Sequence, residues 1–306
     1  MFNPSIAVVM ATYNGEKFIN EQIQSILNQT CQHLTLYVSD DGSTDNTIEI
    51  IKEIALNDSR LKFIGVNEHP GVVRNFNRAF LETHEDIVFL ADQDDIWPKD
   101  RIKKMIDYYI EQTDDTDQPS LLFTDMVLVD KNSEILASSF YKELEIDPHY
   151  NQELKYLTWR CTSYGCTMMV NRPLLNQALP LPQDEDVTMH DNWLILCAAN
   201  LGKVYYMDYG SVFYRQHESN HTGGRRRSLI QKIKSFKLQL KKINTARIKR
   251  EKQIDVLLQR KLAHPEFIKF SSLDNKFDFF KSNILSYKKE RRLYSIFYFL
   301  SMFLNK

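Results

Sequence analysis

Asp86-Ile87-Val88-Phe89-Leu90-Ala91-Asp92-Gln93-Asp94-Asp95 runs through five apolar residues and then places three carboxylates within four positions. An unbroken apolar run of this length is the pattern of a strand buried on both faces. Three more such runs lie upstream: Ile6 to Ala11, Leu34 to Ser39 and Leu61 to Val66. Helical spacing fills the gaps between them. After Glu16, Ile19, Ile23, Ile26 and Thr30 recur on one face. After a turn at Asp41-Gly42, Ile48, Ile51 and Ala55 form the inner face of a second helix, with Ser43 or Thr44 as its expected cap. Gly71 to Thr83 is the third, with Val72, Phe76, Ala79 and Phe80 as its stripe.

Strands alternating with helices predict right-handed βαβ units and a mostly parallel α/β sheet flanked by helices. In such sheets a ligand crevice opens beyond the carboxyl ends of the strands. Thr12 to Asn14, Asp40-Asp41 and Asp92 to Asp95 all fall at that edge. Three polar clusters from three strands are therefore expected to converge on one site. Downstream, Leu121 to Val129, Tyr164 to Val170, Lys203 to Tyr209 and Ser211 to Tyr214 read as further strands. Asp147 to Tyr156 reads as a polar connection, and the chain turns helical around Asp191.

Carboxylates packed as in Asp92, Asp94 and Asp95 repel one another unless a cation sits among them. Hard oxygen ligands suit Mg²⁺ or Mn²⁺, held together with substrate phosphates. The structural alternative is a solvated acidic turn in which Asp95 caps the next helix. Asp40-Asp41-Gly42 has its own alternative, a common turn into a capped helix, and Thr12-Tyr13-Asn14-Gly15 has the same one.

The 306 residues carry a net charge of −1, and that figure hides an asymmetry. From Thr222 to Lys306 there are 22 basic and 6 acidic residues, against 17 and 34 before that point. The expected division is therefore residues 1–222 and a basic, mainly helical extension over 223–306. Leu229, Ile230, Ile233, Phe236, Leu240 and Ile243 give the extension an apolar stripe, and the Tyr294 to Phe299 run adds an interfacial character. Two readings stand side by side: an anionic membrane surface, or packing of the stripe on the acidic part. Nucleic acid is not expected, since no recognition motif accompanies the charge. The four scattered cysteines suit reduced thiols. With no secretory leader and no run of about 20 apolar residues, the expected location is the cytoplasm, with peripheral attachment to the inner face of the membrane as the role of the tail.

Val8-Val9-Met10-Ala11-Thr12-Tyr13-Asn14-Gly15, Ser39-Asp40-Asp41-Gly42-Ser43-Thr44-Asp45 and Leu90-Ala91-Asp92-Gln93-Asp94-Asp95, in that order and spacing, resemble the family 2 glycosyltransferases. The likeness is specific over roughly the first 100 residues and continues more weakly to about 222. It implies the GT-A fold and a metal-dependent sugar transfer from a nucleotide diphosphate donor. Carried over residue by residue, it implies that Thr12, Tyr13 and Asp41 contact the nucleoside, with Asn14 and Asp40 beside them. Asp92 and Asp94 become the pair on the metal and diphosphate, and Asp95 an additional ligand. His190-Asp191-Asn192-Trp193 resembles the segment that carries the general base of inverting members. Asp191 matches the base, and His190 stands where a Glu is usual. His190 and Trp193 are candidates for acceptor contact.

Tyr214-Arg215-Gln216-His217 is similar to a segment of rhamnosyltransferase-like members. It makes Arg215 or His217 a diphosphate partner and His217 a metal ligand. That likeness favours dTDP-L-rhamnose as donor, leaves UDP-hexoses open, and suggests a glycan or lipid-linked glycan acceptor in bacterial polysaccharide synthesis. The Gln-x-x-Arg-Trp motif and membrane helices of processive synthases are absent from the sequence. A nucleotidyltransferase is disfavoured, because Thr12 to Glu16 lacks the repeated Gly and Arg of a phosphate-gripping loop. A nucleotide-sugar binder without turnover would need the pocket but not Asp191.

Overall fold

The computed structural model describes residues 3–216, 236–265, 268, 276–285, 287 and 292–303. One sheet runs through the molecule in the order β3-β2-β1-β4-β7-β5-β6, with β8 paired to β5. Its strands are β1 (Ile6–Thr12), β2 (Leu34–Asp40), β3 (Leu61–Val66), β4 (Ile87–Ala91), β5 (Ser120–Val129), β6 (Ile135–Ala137), β7 (Met168–Asn171) and β8 (Lys203–Arg215). The helices are α1 (Ile19–Leu27), α2 (Thr47–Asn57), α3 (Val72–Glu82), α4 (Arg101–Gln112), α5 (Phe140–Leu144), α6 (Leu154–Leu157), α7 (Arg172–Ala178) and α8 (His190–Leu201). A longer helix, Phe236–Gln259, follows in the C-terminal region.

β1 to β4 are mutually parallel, as their apolar runs and intervening helices require. Val8, Val9, Val88, Phe89 and Leu90 are fully buried. Register then sets the site. Thr12 lies opposite Asp40, and Met10 opposite Ala91, so the three polar loops leave the sheet side by side.

The other half of the sheet departs from the parallel expectation. β7 is antiparallel to both β4 and β5, and β6 is antiparallel to β5, which makes the sheet mixed. An apolar run buried on both faces carries no record of its direction, so the sequence could not reveal this. The strand expected from Tyr164 starts only at Met168, because Gly165–Thr167 forms a 3₁₀ turn. The two strands expected on either side of Gly210 are one strand, with register shifts against β5 in that region. The Asp147 to Tyr156 connection is helical: Asp147 caps a 3₁₀ turn at Pro148–Gln152, and α6 follows.

The described part of the C-terminal region packs on the rest of the chain. Lys249 donates to the Asp184 carbonyl at 2.7 Å and Lys252 pairs with Asp186 at 3.2 Å, basic helix against acidic loop. Leu257 is fully buried in the main core. A second, aromatic core joins Tyr156 and Trp159 to Ile243, Ile284, Phe297 and Tyr298. Leu229, Ile230 and Ile233 of the expected stripe lie outside the described residues.

Candidate active site

The first two loops are laced together by hydrogen bonds. Asn14 takes a left-handed backbone (φ 48°), which Asn tolerates. Its side-chain Oδ1 accepts from Thr44 N–H at 2.8 Å, while its backbone N–H donates to Ser43 Oγ at 2.9 Å. Gly15 N–H donates to Thr47 Oγ1 at 2.8 Å. Ser43 and Thr44 therefore join the loops rather than cap α2, which begins at Thr47.

Thr12 and Asp40 were expected at the nucleoside, yet both side chains are sealed inside. Asp40 accepts from Gly42 N–H, Ser43 N–H, Ser43 Oγ–H and Thr12 Oγ1–H, all at 2.6–2.9 Å. A carboxylate satisfied by four donors shapes the loop and offers no surface to a ligand. Tyr13, by contrast, is 56% exposed. Asp41 is partly exposed and accepts from Gly71 N–H at 2.9 Å and Asn67 Nδ2 at 3.1 Å.

The acidic cluster lies beside these loops. One ligand atom each from Asp92, Asp95 and Cys166 fall within 4.8 Å of one another. Burial, then the charges of Asp94 and Asp191, push the Asp92 carboxyl up to about 7. Burial with the Asp94 and Asp92 charges also holds Asp95 well above the ordinary carboxylate range. Asp95 does not cap α4, which starts six residues later at Arg101. Its Oδ1 accepts from Arg215 N–H at 3.3 Å, and its Oδ2 is buried without a hydrogen-bond partner among the described residues. Crowded carboxylates with an orphaned buried oxygen fit a divalent cation. Burial drives the Cys166 thiol well up, so it stays protonated and is a poor ligand for a hard ion.

Arg215 was expected to meet a diphosphate, but its guanidinium is committed within the protein. It is 2% exposed, donating to the carbonyls of Asp94 and Lys131, to Ser133 Oγ, and to Glu21 at 2.6 Å. It anchors the acidic loop from behind. His217 lies outside the described residues.

Asp191 sits in the first turn of α8, where the helix end favours a negative charge. Its Oδ2 accepts from Gly165 N–H at 3.0 Å, and its Oδ1 from Asn192 N–H at 2.6 Å and Nδ2 at 2.9 Å. Asp191 is close enough to add its charge to Asp92. His190 is buried and stacks on Phe76, centroids 3.7 Å apart, with both ring nitrogens unpartnered among the described residues. Burial lowers its pKa, so the ring is neutral at pH 7. Trp193 is core, not an acceptor contact: it is fully buried, and its indole N–H donates to the Ala178 carbonyl at 2.9 Å.

Four polar residues have structural parts that the sequence pattern did not show. Gln93 binds the Tyr13 peptide and was hidden among its acidic neighbours. Arg101 is fully buried behind the acidic cluster, 3.7 Å over the Trp97 ring and donating to the Cys166 carbonyl at 2.6 Å. Asp125 on β5 accepts from the N–H groups of Met126, Phe140 and Tyr141 and from Ser139 Oγ, so it organises α5. Asp184 lies between α7 and α8. It accepts from Val73 N–H at the start of α3 and pairs with Arg74 at 3.3 Å. Only the position of Arg101, just past an acidic cluster and opening an amphipathic helix, offered any signal.

Comparison with known proteins adds to this geometry. Residues 7–178 match Glycosyl transferase family 2. The dTDP-rhamnosyl transferase RfbG of Shigella flexneri is 30% identical over 271 residues, 85% of this chain and 86% of that protein. A UDP-Glc:alpha-D-GlcNAc-diphosphoundecaprenol beta-1,3-glucosyltransferase of Escherichia coli, WfgD, is 28% identical over 64% of this chain and 70% of its own length. Among solved structures, the mannosyltransferase PcManGT from Pyrobaculum calidifontis, in complex with GDP-Man and Mn²⁺, superposes with a TM-score of 0.58. It is 15% identical and covers 91% of this chain and 72% of that one, a likeness of fold. The fold is of the GT-A type, and the chain belongs to glycosyl transferase family 2 as a glycosyltransferase.

Proposed function

We propose that the protein is an inverting, metal-dependent glycosyltransferase that moves L-rhamnose from dTDP-rhamnose to a hydroxyl of a glycan or lipid-linked glycan. The observation that carries this is the placement of the Asp191 carboxylate beside the Asp92–Asp95 cluster, at the edge where the three parallel strands end. A base and a leaving-group site must lie close together on either side of the anomeric carbon, and the neighbourhood supports that reading: Gly165 N–H binds Asp191, and the adjoining Cys166 sits with Asp92 and Asp95. The Shigella relative, named as a dTDP-rhamnosyl transferase, supports the donor.

In this reading Tyr13 and Asp41 meet the nucleoside, and the laced loops hold them in place. Asp92 and Asp95, with Asp94 adjoining, hold a divalent cation. Bound there, it supplies positive charge where the diphosphate gathers negative charge. Asp191 takes the proton of the acceptor hydroxyl as that oxygen bonds to the anomeric carbon. The carbon–oxygen bond to the diphosphate breaks, and its electron pair leaves with the nucleotide. Attack from the opposite face inverts the centre.

A UDP-hexose donor is the second reading, favoured by the UDP-Glc-dependent relative. The test is nucleoside diphosphate release from dTDP-rhamnose, UDP-glucose and GDP-mannose, with Mn²⁺ or with EDTA, and with lipid-linked acceptor. Release from dTDP-rhamnose alone, lost with EDTA and with Asp191→Ala, supports the proposal. Binding that survives Asp191→Ala, with no release by the wild type, points to a non-catalytic binder.

Contact with the inner membrane face is part of the same proposal. Ile296, Leu300 and Phe303 are 40–50% exposed at helical spacing in a basic region. Among the described residues no helix is long and apolar enough to cross a membrane. Co-sedimentation with anionic but not neutral vesicles would support contact; equal recovery with both would count against it.

A further inference from the structure

We propose that Arg250, on the C-terminal helix, is a positioning residue for Asp191 and acts through the side chain of Asn192. This rests on the reading of Asp191 as the base. Asn192 follows Asp191 on α8 and gives its Oδ1 two donors, the peptide N–H at 2.6 Å and the side-chain Nδ2 at 2.9 Å. The other end of the amide, Asn192 Oδ1, accepts from Arg250 Nη2. Arg250 Nη1 donates to the Leu157 carbonyl at 2.9 Å. One turn along the same helix, Gln253 Nε2 donates to the Asn192 carbonyl at 2.9 Å, and Thr188 Oγ1 donates to Gln253 Oε1 at 3.3 Å. Arg250 is 5% exposed and Gln253 is fully buried.

The chemistry of these groups fixes a direction. A side-chain amide has a donor end and an acceptor end, and left alone it can turn either to its neighbour. A guanidinium only donates. With Arg250 on Asn192 Oδ1, the NH₂ end is forced toward the Asp191 carboxylate. A flipped amide would set a carbonyl oxygen against that carboxylate and an NH₂ against the guanidinium, two repulsive contacts in a buried setting. Gly165 N–H holds the other carboxylate oxygen. Asp191 is thus fixed at both oxygens, with a lone pair on Oδ2 left for the acceptor hydroxyl. The contact joins residues 58 apart in sequence, so the C-terminal helix completes a base on α8, and both helices lie beyond the family-matched residues 7–178.

The full chain serves for the test, assayed for dTDP release from dTDP-rhamnose and UDP release from UDP-glucose with Mn²⁺, and for dTDP and UDP binding by calorimetry. Arg250→Met and Asn192→Ala are each expected to lower kcat about tenfold, with donor KM and nucleotide affinity unchanged. The double variant should lose no more than either single one, because both break one relay. Arg250→Lys, which can still donate to Asn192 Oδ1, should recover part of the loss. Losses that multiply in the double variant, a change confined to KM, or an unchanged kcat in Asn192→Ala would overturn the proposal. The last comparison stands even if Arg250→Met does not fold. Asp191→Asn is run alongside: full turnover there would remove the base reading itself, and this role with it. Loss there with normal Asn192→Ala would remove only the relay.

Discussion

Gln93 and the Tyr13 peptide share two hydrogen bonds: Gln93 Oε1 accepts from Tyr13 N–H at 2.8 Å, and Gln93 Nε2 donates to the Tyr13 carbonyl at 2.9 Å. The loop after β1 is thereby clamped to the acidic loop after β4. A side-chain amide matches the main-chain N–H and C=O of one residue in this way because it carries both a donor and an acceptor. The clamp also explains Gly15, where an added Cβ would lie 2.5 Å from Gln93 Oε1.

Gly15→Ala should therefore displace Gln93 and release Tyr13. Donor KM is expected to rise about tenfold, with a smaller change in kcat. In a Gln93→Ala background, Gly15→Ala should cost little more, since the clash is gone. Independent, multiplying effects in the double variant would show that the two residues are not coupled.

Asp40→Asn replaces one of two acceptor oxygens with a donor that faces donors already in place. The expected cost is about 2–3 kcal/mol of stability, read from urea unfolding. A cost below about 0.5 kcal/mol would mean that the loop re-pairs freely.

Arg215→Met should destabilise by about 2–4 kcal/mol, because it strips buried donors from the carbonyls of Asp94 and Lys131. The Glu21 partner is half exposed, so the ion pair itself contributes little. Thermal unfolding measures the loss, and Glu21→Gln should have almost none of it.

Mn²⁺ should raise the Tm of the wild type by about 3 °C at saturating concentration, since it binds only the folded site. Asp92→Asn and Asp95→Asn should each abolish that increment, and EDTA should reverse it. An equal rise in all three proteins would locate the ion elsewhere.

Burial depresses the His190 pKa below its ordinary 6.5 in the folded chain. The unfolded chain then binds a proton that the folded chain refuses, so stability falls as pH drops below about 6.5. His190→Gln removes that group and should flatten the decline between about pH 6.5 and 5, seen as a smaller change in urea midpoint. An unchanged slope would show that another group carries it.

Much of this was legible in the residues. Four apolar runs with helical spacing between them gave the parallel half of the sheet, and the carboxylates at their ends gave the crowded site. The same reading placed Asp191 on a helix start, and α8 begins at His190. A polar residue's part depends on what surrounds it, which local pattern does not carry. Thr12, Asp40 and Arg215 looked like ligand contacts because they are polar and near the motifs, but each is spent on protein donors or acceptors. Trp193 stands two residues after Asp191 in sequence and faces the opposite way, since residues two apart on a helix diverge by about 200°.

Local pattern fixed the elements, because periodicity and buried length belong to short stretches of chain. It also pointed to the kind of site, because three carboxylates within four positions repel one another unless a cation or protonation relieves them. Pairing direction, and the partner of each buried polar group, were decided only in three dimensions. Met169 between Phe89 and Leu122, Gln93 on Tyr13, and Arg250 on Asn192 are contacts between residues 47 to 80 positions apart. No local preference encodes such contacts. They form because a buried donor or acceptor left without a partner costs more than the chain can lose, and only the closed fold supplies the partner.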